Sequence, residues 1–82
     1  MEPVENQAMR ELTFGEKAVG LTFNPGGNPQ VDIIKGAYAA IIDQLNDARR
    51  IATADAARLY SIAITEAQSA QMWAVKAVTY QY

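Results

Sequence analysis

The closing third of the chain, Ala57 to Tyr80, reads as one helix carrying more apolar surface than a small monomer can bury. Leu59, Ile62 or Ala63, Ala67, Ala70, Trp73 or Ala74, and Ala77 recur at helical spacing along one side. Tyr60, Ile64, Met72, Val75 and Val78 form a second apolar set over much of the remainder. A surface helix needs one apolar stripe facing its core. A helix with two must bury the second against another chain, a ligand or a membrane. Arg58, Glu66, Gln68, Gln71 and Lys76 interrupt the run of roughly 18 apolar residues that spanning requires, so no membrane partner is expected. The pattern predicts one subunit of a homo-oligomer.

Size leads to the same expectation. The chain has 82 residues, enough for one domain and no second core. Domains this small often need outside support, and oligomerisation is a usual source. The sequence contains no cysteine and no histidine. Disulfides, thiolate metal sites, and Ser-His-Asp or Cys-His nucleophile systems are therefore excluded. No clustered acidic motif suggests a carboxylate site for Mg²⁺, so neither a cofactor nor enzymatic activity is expected. Seven Lys and Arg against nine Asp and Glu give a net charge of −2. That balance disfavours a DNA or RNA polymer as partner, whereas a small anion needs only one or two cations per site. Met1-Glu2-Pro3-Val4-Glu5 lacks the basic start and apolar core of a signal peptide, so a cytoplasmic location is expected.

Along the chain, residues 1–13 are polar and acidic and are read as an N-terminal arm, with residues 14–82 as the folded domain. Thr13-Phe14-Gly15-Glu16 has the spacing of a capping box that starts a short helix ended by Gly20. The other reading is one longer helix weakened by glycine. Thr22-Phe23-Asn24-Pro25-Gly26-Gly27-Asn28-Pro29 holds two prolines and two glycines and excludes regular structure. Asn28-Pro29 is a helix entry, with Asn as cap and Pro at the first position. From Gln30, residues Val31, Ile34, Tyr38, Ile41 or Ile42, Leu45 and Ala48 share a face to about Ala52, while Asp32, Lys35, Asp43, Gln44 and Asp47 lie mainly off it. Thr53-Ala54-Asp55 is the one candidate break before the last helix. A continuous helix of about 50 residues is the alternative, which base rates disfavour. The expected fold is all-α: a short N-terminal helix, a Pro/Gly-rich turn, then a long antiparallel helical hairpin that oligomerises.

Chemistry is best sought between Phe23 and Lys35. Amides at the start of the second long segment, after a glycine turn open to a ligand, form a natural anion site. Lys35 would supply a mobile charge, and Phe23 a flat face on which a nucleobase stacks. Phosphate plus base describes a nucleotide-like ligand held by Phe23, Asn24, Gly26, Gly27 and Lys35. Each residue also has a plainer reading: Asn28-Pro29 as a cap only, Phe23 as core, Lys35 as a solvated surface cation. Arg58, near the head of the last helix, is mildly unfavourable there. It is either a ligand contact or a surface residue paired with Asp55 or Glu66. Trp73 reads as a core or interface anchor.

The segment Ser61-Ile62-Ala63-Ile64-Thr65-Glu66-Ala67-Gln68-Ser69-Ala70-Gln71-Met72-Trp73-Ala74-Val75-Lys76-Ala77-Val78 resembles the closing helix of the small phage anti-CBASS sponge proteins, whose helical-hairpin domain is shared with a Thoeris-inhibiting sponge. The similarity extends more loosely through Val31-Asp32-Ile33-Ile34-Lys35 and Phe14-Gly15-Glu16-Lys17, covering about residues 14–80. The resemblance implies a compact homohexamer that sequesters cyclic oligonucleotide second messengers without cleaving them, inside the infected cell. It places the cyclic-dinucleotide lysine at Lys35 and the stacking aromatic at Phe23. The arginine of a separate cyclic-trinucleotide site falls at Arg58. Two departures mark this chain. The aromatic is commonly tyrosine, so Phe23 keeps the stacking face and loses a hydroxyl, and Asn24-Pro25-Gly26-Gly27-Asn28 prevents a gap-free match between Phe23 and Lys35. The alternative from another class is a small helical hairpin that docks on a partner protein and binds no nucleotide.

Overall fold

The computed structural model describes residues 10–81, so most of the expected arm at residues 1–13 lies outside the described residues. Residues 10–13, its described end, are irregular. Helix α1, Phe14–Val19, starts at a complete capping box: the Thr13 hydroxyl accepts from Glu16 N at 3.1 Å, and Thr13 N donates to Glu16 Oε1 at 2.9 Å. It stops at Gly20, whose φ of 62° is the left-handed conformation that glycine adopts without strain. Gly20 N donates to Lys17 O at 3.2 Å and Leu21 N to Glu16 O at 3.0 Å, closing the end in a Schellman arrangement. The short capped helix, rather than a longer glycine-weakened one, is what forms.

Helix α2, Pro29–Arg50, follows the expected entry, with Asn28 Oδ1 accepting from Gln30 N at 2.8 Å and Pro29 at the first position. Helix α3, Ala54–Val78, begins after a connection without glycine or proline. Thr53 makes that break, its hydroxyl accepting from Ala56 N at 3.2 Å. A continuous helix is thereby ruled out. α2 and α3 run antiparallel: Arg49 Nη1 donates to Ser61 Oγ at 3.0 Å beside the connection, while Val31 and Val75 line one cleft at the far end. Among the described residues the fold is a hairpin with one short helix laid across it.

The core is small. Val19, Ala39, Ile42 and Ile64 are buried together, with Ala18, Leu21, Tyr38, Leu45 and Ala67 packed around them. On α2 the inward residue is Ile42, while Ile41 is exposed. Lys35, which the helical face analysis sets off the core side, is 5 % exposed and sits in line with Val31, Ala39 and Ile42. α1 reaches α2 because residue 15 is glycine: a Cβ there would lie 2.1 Å from the Ala39 carbonyl oxygen. At that contact Gly15 N donates to Asp43 Oδ1 at 2.7 Å, and the Arg49 guanidinium lies 5.5 Å from the centre of the Phe14 ring. Gln68 Nε2 ties α3 to the Ala18 carbonyl at 3.3 Å.

The two apolar sides of α3 separate as follows. Tyr60, Ile64, Val75 and Val78 of the second set turn toward the hairpin, together with Ala63, Ala67 and Ala74. Leu59, Ile62, Ala70, Trp73 and Ala77 remain exposed, joined by Met72. No helix of the described residues is long and apolar enough to cross a membrane.

Candidate functional site

At the end of the hairpin remote from its connection, the Pro/Gly-rich turn leans over α2 and α3 and encloses a cleft of about 240 Å³. Phe23, Asn24, Pro25, Gly26 and Asn28 contribute from the turn, Val31 and Lys35 from α2, and Val75 and Thr79 from α3. Four of the five residues that the sequence assigns to a dinucleotide site, Phe23, Asn24, Gly26 and Lys35, therefore share one cleft. Gly27 does not line it. Its φ of 64° serves the turn, where Gly27 N donates to Asn24 O at 3.0 Å.

Lys35 is neither the mobile charge nor the solvated surface cation that the sequence suggests. Its ammonium donates to the carbonyls of Gly20 at 2.9 Å and Phe23 at 2.5 Å, and lies 5.5 Å from the centre of the Phe23 ring. Among the described residues no carboxylate pairs with it. Carbonyl dipoles and a ring face leave the full charge of a buried cation available to an anion. The two carbonyl bonds also anchor the backbone of Phe23 itself and of Gly20 before it. The Phe23 ring is therefore held in place while remaining 71 % exposed, which excludes the core reading and leaves a flat face open.

The helix amides expected to bind an anion are instead satisfied within the turn. Asn28 N donates to Asn24 Oδ1 at 3.3 Å, Gln30 N to Asn28 Oδ1 at 2.8 Å, and Val31 N to Asn28 O at 3.1 Å. Asn24 completes the closure, its Nδ2 donating to Asn28 O at 2.8 Å and Asp32 Oδ1 at 2.9 Å. The Asp32 carboxylate in the first turn also complements the helix dipole. The positive character of the cleft therefore comes from Lys35 rather than from the helix start.

Arg58 lies far from this cleft. Seventeen residues separate it from Val75 along α3, about 26 Å of helix. With Ser61, Ile62, Thr65 and Glu66 it lines a shallow depression of about 260 Å³. Among the described residues no ion pair joins it to Asp55 or Glu66. Trp73 lines neither cleft and is 68 % exposed, so its core reading does not hold within one chain.

Sequence reasoning did not assign Thr79 to the cleft, and placed Val31 and Val75 only as apolar stripe residues. A signal existed in the antiparallel register. Arg49 faces Ser61, and residues equally far from the connection face each other thereafter, which brings Lys35 level with Val75 and Val31 level with Thr79.

With this geometry in hand, comparison with known proteins gives one result: the family model described as the Acb2/Tad1 hairpin domain matches residues 16–79. No curated protein and no solved structure matches the chain. The matched span contains all three helices apart from the first two residues of α1, and it agrees with the resemblance drawn from the sequence.

Proposed function

Because the chain belongs to the Acb2/Tad1 hairpin-domain family of phage anti-defence sponges, we propose that it captures cyclic oligonucleotide second messengers without cleaving them and so silences CBASS-type immune signalling. The observation that carries this reading is the pairing of Lys35 with Phe23. A buried ammonium that pairs with no carboxylate among the described residues lies under an exposed aromatic face, in an open cleft. A phosphate answers the first and a base the second. Residues 14–82 are the ligand-sequestering domain in this proposal, and residues 1–13 an arm. Phe23, Gly26 and Lys35 contact a cyclic dinucleotide, while Asn24 and Gly27 give the turn its shape. Arg58 serves a separate cyclic-trinucleotide site.

The working form proposed is a cytoplasmic homohexamer in the infected cell. One cleft of about 240 Å³ takes a single nucleotide more readily than a whole cyclic dimer, so a second copy completes the site. Stoichiometric capture at micromolar signal levels requires a Kd near nanomolar, about −12 kcal/mol. Charge-assisted phosphate contacts and base stacking reach that range when the cleft is preformed, and the Lys35 bonds to the turn favour preformation.

The test is calorimetric titration with a panel of cyclic di- and trinucleotides, followed by heat release and chromatography of the bound ligand. Tight binding with intact ligand recovered is the expected outcome. Linear product would make the protein an enzyme. Absence of binding to every member would favour the helical hairpin docking on a partner protein, a reading that the exposed face of Leu59, Ile62 and Trp73 supports.

A further inference from the structure

Donors and acceptors are unevenly distributed among the side chains of the cleft. Asn24 has both donors committed to the turn: its Nδ2 hydrogens go to Asn28 O and Asp32 Oδ1, and its Oδ1 accepts from Asn28 N. Asn28 Oδ1 caps Gln30 N, leaving the Nδ2 hydrogens as donors. Lys35 is a donor only. Phe23, Pro25, Val31 and Val75 offer no polar side-chain atom.

Thr79 differs from all of these. Its hydroxyl donates back along α3 to Val75 O at 2.9 Å, with a longer contact of 3.4 Å to Lys76 O. A hydroxyl has one hydrogen and two acceptor lone pairs, so the hydrogen is committed and the oxygen is left acceptor-only. Among the described residues no donor reaches that oxygen. The cleft thus carries a cation and an amide donor toward the turn and, just past the end of α3, a side-chain oxygen that accepts from no described donor.

We infer that Thr79 is a specificity-determining residue of the cleft, its oxygen accepting a hydrogen bond from the exocyclic amine of a base stacked on Phe23. The inference rests on the reading of this cleft as a cyclic-nucleotide site. An acceptor-only oxygen rejects a base edge that presents another acceptor there and gains nothing from a C–H. An amine satisfies it. The effect belongs to discrimination between ligands rather than to general affinity, because Thr79 carries no charge and its hydroxyl hydrogen, given to Val75 O, is not offered to a phosphate.

The experiment is a cycle of residue and ligand deletions. The full chain and its Thr79→Val and Thr79→Ser variants are titrated with cyclic di-GMP and cyclic di-AMP, and with the analogues that lack the exocyclic amine, cyclic di-IMP and the cyclic purine-riboside dimer. Circular dichroism checks that the variants fold. The full chain should prefer at least one amine-bearing ligand over its stripped analogue by about tenfold, the worth of one net hydrogen bond. Thr79→Val should reduce that preference to near unity while leaving the stripped analogue's affinity unchanged, and Thr79→Ser should retain the preference. A preference that survives in Thr79→Val overturns the inference, as does an equal loss for aminated and stripped ligands, which would mark a packing role or a sugar hydroxyl as donor. Failure of the full chain to bind any of the four overturns the cyclic-dinucleotide reading together with this one, which distinguishes that result from a failure at Thr79 alone.

Discussion

Lys35 is the residue at which folding and the proposed recognition meet. Its ammonium bonds the Gly20 and Phe23 carbonyls and so holds the turn that presents the Phe23 ring. Lys35→Met keeps the apolar stem and, among the described residues, leaves the Phe23 carbonyl without a donor, while Gly20 O keeps its bond from Phe23 N at 2.9 Å; the cost is about 1–3 kcal/mol. The expected result in urea denaturation is a loss in that range, accompanied by at least tenfold weaker binding of a cyclic dinucleotide. Full stability in Lys35→Met would show that the turn does not depend on the ammonium. The sequence placed this residue near a ligand but off the core face, since helical periodicity cannot reveal that a glycine turn folds back to cover a lysine. Glu16 offers a second residue-scale prediction. A side-chain hydrogen bond from Arg10 at 3.0 Å, with help from Thr13 N, holds its carboxyl below the ordinary value of 4.5. A lowered folded-state pKa means that the capping contribution is complete above the ordinary carboxylate range and fades as pH falls through the lowered value. Carboxyl carbon shifts followed by NMR should therefore titrate below those of a free glutamate. Arg10→Ala should move the midpoint upward, and an unmoved midpoint would exclude the ion pair as the cause.

Element boundaries were legible where a side chain closes a helix end by itself. Thr13, Asn28 and Thr53 all act as N-caps, and each is bonded to an amide of its own helix. Thr53 is the most informative of the three, because the connection between α2 and α3 holds no glycine or proline to force a break. Thr53→Ala should lower stability by about 1 kcal/mol, read from the urea midpoint at constant slope. The docking of α1 was not legible, because it depends on a glycine that sequence analysis treats only as weak helix. Gly15 lets the α1 backbone approach the Ala39 carbonyl and donate to Asp43 Oδ1. The Cβ of Gly15→Ala would collide with backbone, which cannot yield as a flexible side chain does. A loss of about 2 kcal/mol or more is expected, with exchange protection falling first in α1 and the turn after it. If Gly15→Ala retained native stability, the close approach of α1 to α2 would have to be looser than described. The same substitution should weaken ligand binding indirectly, since α1 ends at Gly20, one of the two carbonyls that Lys35 holds.

At the scale of the whole molecule, the balance of apolar surface points to association. Among the described residues five apolar ones are buried, and three of them are valine or alanine: Val19, Val31 and Ala39, beside Ile42 and Ile64. Phe23, Ile33, Ile51, Leu59, Ile62, Met72 and Trp73 are large, apolar and exposed. An isolated chain would keep a thin core while presenting a wide apolar surface to water, an arrangement that soluble monomers rarely adopt. The excess of apolar positions on α3 was visible in the sequence. Which set would be left outside was not, since two stripes of similar character differ only in how α2 and α1 happen to cover them. The structure leaves out the stripe that contains Trp73, the chain's single tryptophan, and this provides a reporter. If the proposed homo-oligomer forms, Trp73 emission should be blue-shifted relative to the urea-unfolded chain and should move to the red on dilution through the dissociation range. Light scattering should show a multiple of the 8.9 kDa chain over the same range. Trp73→Glu places a charge where a partner's apolar surface is expected, and one buried unpaired carboxylate opposes association strongly. That variant should scatter as a single chain while its far-ultraviolet circular dichroism remains helical, because Trp73 contributes little to the core of its own chain. An unshifted wild-type spectrum together with a monomeric mass would remove the homo-oligomer, and the exposed stripe would then have to be covered by a different protein.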